Sequence, residues 1–138
     1  MMSEKKLGSV LLIDDDEPTT FMYQMVLEES GCTNHIEIAH GGHDALHFFR
    51  NANENSNKNY PDLIFLDINM PRMDGWEFLE HLKELNKDKK KKAVIIMLST
   101  SLNPDDEIRA NHIPEVSAFR HKPLTIGMVR EIVGKYFR

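Results

Sequence analysis

Leu63-Ile64-Phe65-Leu66-Asp67-Ile68-Asn69-Met70-Pro71-Arg72-Met73-Asp74-Gly75 is the stretch that decides the fold. Leu63–Leu66 is apolar on consecutive residues, as expected of a strand buried on both faces of a parallel sheet. The run closes in a carboxylate and then turns, so Asp67 stands at the carboxyl edge of the sheet. In open α/β folds that edge is where ligands bind. A second apolar run, Val10-Leu11-Leu12-Ile13, ends the same way in Asp14-Asp15-Asp16. Two strands that deliver acids to one rim point to a site for a hard divalent cation.

Outward from these two runs, β-rich segments alternate with segments of helical period. The expected strands are Ser9–Ile13, His35–Ala39, Leu63–Leu66, Ala93–Leu98 and Ala118–His121. His35-Ile36-Glu37-Ile38 alternates in polarity, which suits an edge strand. Helices are expected from near Pro18 to Ser30, His43 to Asn51, Gly75 to Leu85, Pro104 to His112 and Thr125 to Phe137. Pro18 fits an early helical position and Gly31 a C-terminal stop. Phe21, Met22, Met25, Val26 and Glu29 lie along one side of the first helix. Met128, Val129, Ile132, Val133 and Tyr136 recur at helical spacing in the last. Asn51–Tyr60, with five asparagines, reads as a polar loop. Parallel strands need crossovers, so five strands each followed by a helix imply a doubly wound, five-stranded α/β sheet. No internal repeat or linker divides the 138 residues, which are expected to form one domain over 1–138 with no effector module.

Composition narrows the function. Hydrophobic residues make up 41% and charged residues 28%, values of a globular chain rather than a membranous or disordered one. The apolar runs are far too short for a membrane span, and the first residues lack the apolar segment of a signal peptide. The lone Cys32 has no internal disulfide partner, so a reducing, cytoplasmic setting is the default. A net charge of −5 argues against nucleic acid as a partner. The run Lys89–Lys92 reads as a solvated connection rather than a phosphate-binding patch. His43 and His47 lack the glutamate of a zinc-binding H-E-x-x-H and read as solvent-facing.

Four features are expected to converge at the carboxyl ends of the strands: Asp14 and Asp15, Asp67, the hydroxyls of Ser99-Thr100, and Lys122. Crowded carboxylates raise one another's pKa unless a cation relieves them. Oxygen-only ligands favour Mg²⁺, or Mn²⁺, over zinc. A carboxylate nucleophile, a divalent metal, an ammonium and a hydroxyl together fit phosphoryl transfer onto an aspartate.

The ordered set of Asp14-Asp15, Asp67-x-x-Met70-Pro71-x-Met73-Asp74-Gly75, a hydroxyl at Ser99 and Lys122-Pro123 strongly resembles the receiver domain of two-component response regulators, from about Leu7 to Phe137. The resemblance implies a flavodoxin-like sheet of strand order 2-1-3-4-5 and a stand-alone regulator. It implies that Asp67 accepts phosphate from a phosphohistidine on a histidine kinase or histidine phosphotransfer protein. Asp15 would bind Mg²⁺ directly and Asp14 mainly through water. Asp67 would add a carboxylate oxygen, and Asn69 its backbone carbonyl. Lys122 would pair with the phosphoryl group, and Ser99 and Phe119 would move together as the switch. The fourth helix, fifth strand and fifth helix would form the output face, around Phe119, Arg109, Tyr136 and Phe137, for a partner or for a homodimer. The chemistry would be self-phosphorylation and self-dephosphorylation rather than turnover of a metabolite.

Two departures and one rival stand beside this reading. Ser99 replaces the commoner threonine, with Thr100 as the competing switch hydroxyl; Thr100 also replaces a usual alanine and leaves less room for water beside a phosphate. The rival is a haloacid-dehalogenase-like phosphatase, which wants Asp-x-Asp after its first strand, as Asp14 and Asp16 superficially supply. A P-loop ATPase is disfavoured because no G-x-x-x-x-G-K-[ST] occurs.

Overall fold

The structure, a computed structural model, describes residues 6–54, 60–87 and 92–137. Ten elements alternate along it: β1 (Val10–Ile13), α1 (Glu17–Ser30), β2 (Ile36–Ala39), α2 (Gly42–Glu54), β3 (Leu63–Asp67), α3 (Gly75–Leu85), β4 (Val94–Ser99), α4 (Pro104–Asn111), β5 (Ala118–His121) and α5 (Ile126–Tyr136). All strand pairs are parallel and the order is β2-β1-β3-β4-β5. The doubly wound sheet of five strands and five helices is therefore present, and the alternating β2 sits at an edge.

Consecutive apolar residues in the strands have a direct packing cause. Leu11, Ile13, Ile64, Leu66, Ile95 and Met97 face one side, where Phe49 of α2 and Phe78 and Leu82 of α3 meet them. Val10, Leu12, Leu63, Phe65, Ile96 and Leu98 face the other, against Tyr23 and Leu27 of α1 and Val129 and Ile132 of α5. Side chains alternate across a strand, so both parities must be apolar when both faces are covered.

The helices start and stop where local chemistry dictates. Asp16 caps α1 by accepting from the Thr19 amide at 3.1 Å, and Gly31 ends it in the left-handed conformation at φ 69°. Asp74 and Glu77 form a reciprocal capping box at the start of α3. α2 continues to Glu54, past the expected end at Asn51. Residues 55–59 of the asparagine-rich segment, and residues 88–91 of the lysine-rich one, lie outside the described residues.

The side of α1 that carries Phe21, Met22 and Met25 is not the one that meets the core. α1 buries Thr20, Tyr23 and Leu27, while Phe21, Met22 and Met25 are exposed at 65%, 54% and 52%. Two apolar stripes compete on this helix. The one carrying Tyr23 and Leu27 wins because it fills the space beside α5, leaving the Phe-Met stripe in solvent.

Gly75 explains why the decisive stretch ends in glycine. A Cβ there would lie 2.7 Å from the carbonyl oxygen of Asp67 and 3.0 Å from Ile68 Cα, both backbone atoms that cannot swing aside. The Gly75 amide also donates to the Ile68 carbonyl at 2.7 Å. Gly75→Ala is expected to lower stability by about 1–3 kcal/mol through this overpacking. The check is a fall in urea midpoint with an unchanged denaturant slope.

Candidate functional site

The parallel register brings the carboxyl ends of β1, β3 and β4 to one rim. Asp67 is the last residue of β3 and pairs with Leu98; Ser99 is the last of β4 and pairs with His121. Asp14 follows β1, held by its amide to the Ala39 carbonyl at 3.1 Å. The Lys122 amide donates to the Ser99 carbonyl at 2.9 Å, which carries the lysine to the same rim just past β5.

There the side chains meet. Lys122 Nζ lies 2.9 Å from Asp14 Oδ2 and 3.1 Å from Asp67 Oδ1. Asp14 and Asp67 are buried at 4% and 8% exposure, whereas Asp15 is exposed. Carboxylate oxygens of Asp14, Asp15 and Asp67 all lie within 4.8 Å of one another. Three formal negative charges against one ammonium leave an excess of two. The donors are all carboxylate oxygens, and no histidine or cysteine joins the cluster among the described residues. That set fits a hard divalent cation.

Electrostatics follow from the crowding. Burial, then the charge of Asp14, pushes the Asp67 carboxyl up to about 6, with Lys122 opposing. Burial works against the charged Lys122, but its hydrogen bond to Asp14 and the charge of Asp67 outweigh that and raise its pKa.

The other expected residues occupy different surroundings. Ser99 is 1% exposed and its hydroxyl accepts from the Ser101 amide at 2.9 Å, while Thr100 faces solvent. Phe119 is buried on β5 and meets the His121 ring edge-on at 5.4 Å. Asn69 is exposed in the turn after β3. Asp16 points away from the acid cluster into the α1 cap, where it also accepts from the Thr19 hydroxyl. The second acid that a dehalogenase-type phosphatase needs is thus spent on helix capping. Tyr23 was not singled out from the sequence, yet it is buried beneath the site beside Asp14 and Asp67. Burial raises its pKa, and the backbone of Leu124, two residues past Lys122, holds its hydroxyl. Its only sequence signal was a helical spacing with Leu27 that the neighbouring Phe-Met stripe masked.

The sequence pattern described as "Response regulator receiver domain" matches residues 10–133. The chain belongs to that family. A two-component response regulator from Cytophaga hutchinsonii shares the receiver fold at a TM-score of 0.84 and 31% identity, over 95% of this chain and 97% of that one. Response regulator Rcp1 of Synechocystis is 36% identical over 72% of this chain and 66% of its own length. The receiver domain of the histidine kinase CKI1 from Arabidopsis thaliana, in a structure complexed with Mg²⁺ and BeF3⁻, matches at a TM-score of 0.73 and 24% identity, over 92% and 90% of the two chains. This receiver is accordingly a phosphoaccepting response regulator of two-component signalling, and the phosphatase alternative falls. No helix among the described residues is long and apolar enough to cross a membrane.

The raised Asp67 pKa gives a signed prediction. A carboxyl at about 6 in the folded state against an ordinary 3.8 favours the protonated form on folding. Its contribution to stability is full below the lower value and is lost as pH rises through the upper one. In metal-free buffer near neutral pH, Asp67→Asn should therefore be the more stable protein. The gain is about 1–2 kcal/mol once solvent screening at the open rim is discounted. Urea unfolding as a function of pH should show that advantage fading toward acid.

Proposed function

We propose that Asp67 is the phosphoryl acceptor of this receiver, and that the donor is a phosphohistidine on a histidine kinase or histidine phosphotransfer protein. An Asp67 carboxylate oxygen attacks phosphorus, the P–N bond to the imidazole breaks, and the imidazole keeps the electron pair. The observation that carries this reading is the convergence of Asp14, Asp15 and Asp67 with Lys122 between two of them. Asp14, Asp15, Asp67 and the Asn69 carbonyl would hold Mg²⁺, or Mn²⁺, whose charge neutralises the phosphoryl oxygens. Lys122 pairs with the transferred group. Ser99 supplies the switch hydroxyl, a preference over Thr100 supported by its place as the buried end of β4.

The donor docks beside the site. Asp15 is exposed at the mouth, and the exposed Phe21, Met22 and Met25 of α1 offer an apolar surface one to two turns away. On the output side, the exposed Ile108 and the half-buried Tyr136 and Phe137 support a face formed by α4, β5 and α5, coupled to the site through Phe119. That face would take a downstream protein or a second copy of the chain. Arg109 of α4 is exposed, with its guanidinium 4.3 Å above the Trp76 ring of α3. The protein would act as a cytoplasmic switch through protein contacts, with no nucleic acid or membrane partner, and not as an enzyme on a diffusible substrate.

Intact-mass analysis after incubation with acetyl phosphate and Mg²⁺ should show one added phosphoryl group in the wild type and none in Asp67→Asn. An equal adduct in the variant would reject Asp67 as acceptor. Thr100 stands next to the switch hydroxyl, where its methyl group limits water beside the phosphate. Thr100→Ala should release phosphate faster, by roughly two- to tenfold if removal of that group lowers the barrier by about 0.4–1.4 kcal/mol. A phosphate-release time course no faster than wild type would reject this.

A further inference from the structure

At the end of the sheet opposite Asp67, a cavity of about 270 Å³ lies between the last turns of α3 and the first residues of β4. Tyr60, Leu79, Leu82 and Ile95 make it apolar inside. Lys83, Lys87 and Lys92 surround it, with Glu115 as the one acid in its lining among the described residues. Lys87 is engaged with Glu84 at 2.8 Å; Lys83 and Lys92 are in no ion pair among the described residues. On a chain of net charge −5, three ammonium groups round one apolar hollow reverse the local sign.

Asn86 supplies a second, independent observation. It lines the cavity at 9% exposure, and its amide nitrogen donates to the Tyr60 hydroxyl at 2.5 Å. Its Oδ1 is buried and accepts no hydrogen bond. Buried amide oxygens are nearly always paired, and one left bare carries the full penalty of lost hydration. A donor brought in by a ligand would relieve it once the amide turns toward the cavity, since the oxygen has no accessible surface as it stands.

We propose that this cavity binds a small amphipathic monoanion: an apolar, preferably aromatic, body carrying one acidic group and an N–H or O–H donor. The body fills the space over Leu79, Leu82 and Ile95. The acidic group sits between Lys83 and Lys92, and the donor satisfies Asn86 Oδ1. Glu115 on the wall disfavours a second negative charge. Such a ligand fits the general make-up of small-molecule sites, an apolar enclosure with a few convergent polar groups. The proposal is independent of phosphoryl chemistry at Asp67, because no residue lining the cavity belongs to that site.

Anilinonaphthalene sulfonate carries all three elements, and phenylnaphthylamine is its neutral counterpart with the same rings and N–H. Titration of the full chain with each, followed by fluorescence and by amide NMR, tests the assignment. Saturable binding of the sulfonate is expected, with shifts gathered on Leu79, Leu82, Asn86, Ala93 and Ile95. The double substitution Lys83→Glu and Lys92→Glu should weaken the sulfonate by about tenfold and leave the neutral probe unchanged. Unaltered phosphorylation of Asp67 by acetyl phosphate would show that the double variant is folded. Shifts gathered on the exposed Phe21, Met22 and Met25 instead, or equal sulfonate affinity in the variant, would overturn the proposal.

Discussion

The rim where Asp14, Asp15 and Asp67 meet carries more negative charge than Lys122 neutralises, and the surrounding architecture is what keeps it assembled. Left to themselves the three carboxylates would separate into water. They stay together because each is fixed by backbone that packing has already immobilised: Asp67 ends a fully buried strand, and Asp14 is tied to β2 through the Ala39 carbonyl. Lys122 is tied in turn to β4 through Ser99. Lys122 offsets part of the repulsion between the two buried acids, and its removal would leave both of their charges unpaired away from solvent. The strain is electrostatic, and apolar burial on both faces of the sheet holds against it.

Rigidity is not spread evenly. α3 is anchored at both ends, with Gly75 against the Asp67 backbone and Asn86 against Tyr60, and it contributes Phe78, Leu79 and Leu82 to the core. α4 buries only Ala110, and Arg109 reaches across to Trp76 as its visible tether to α3. Helices with little buried apolar area open at low cost and are the natural moving parts of a domain. A charge change at Asp67 thus meets stiff strands below it and a lightly held helix just beyond Ser99.

Much of this was legible in the sequence because parallel strands covered on both faces leave an uninterrupted apolar signature, and because two such strands end in acids at the same edge of the sheet. The Asp67–Gly75 turn was equally plain, since Asp74 caps α3 and Gly75 permits close approach to Asp67. α1 was harder. It carries apolar residues on two sides, and the side with Tyr23 and Leu27 is the one that packs with Val129 and Ile132 of α5. The same ambiguity hid Tyr23 beneath the site. Asp16 could be either ligand or cap from its position in an acidic run, and geometry decides for the cap.

The raised proton affinity of Asp67 and its proposed role have one origin. Burial beside Asp14 raises the proton affinity of its carboxylate, and the proposed reaction uses the same oxygens as nucleophile. Phosphorylation would turn the Asp67 carboxylate into an acyl phosphate and move the charge outward onto phosphoryl oxygens. In that reading Lys122 would be shared between Asp14 and the new group, and the Ser99 hydroxyl, which accepts from the Ser101 amide, would turn its own proton toward it. Both adjustments pull on the β4–β5 edge, where the Lys122 amide is bonded to the Ser99 carbonyl and Phe119 lies in the same short strand. A signal passed from Asp67 to the proposed face of α4, β5 and α5 would therefore need no long pathway, because the backbone that carries Ser99 and Lys122 borders that face.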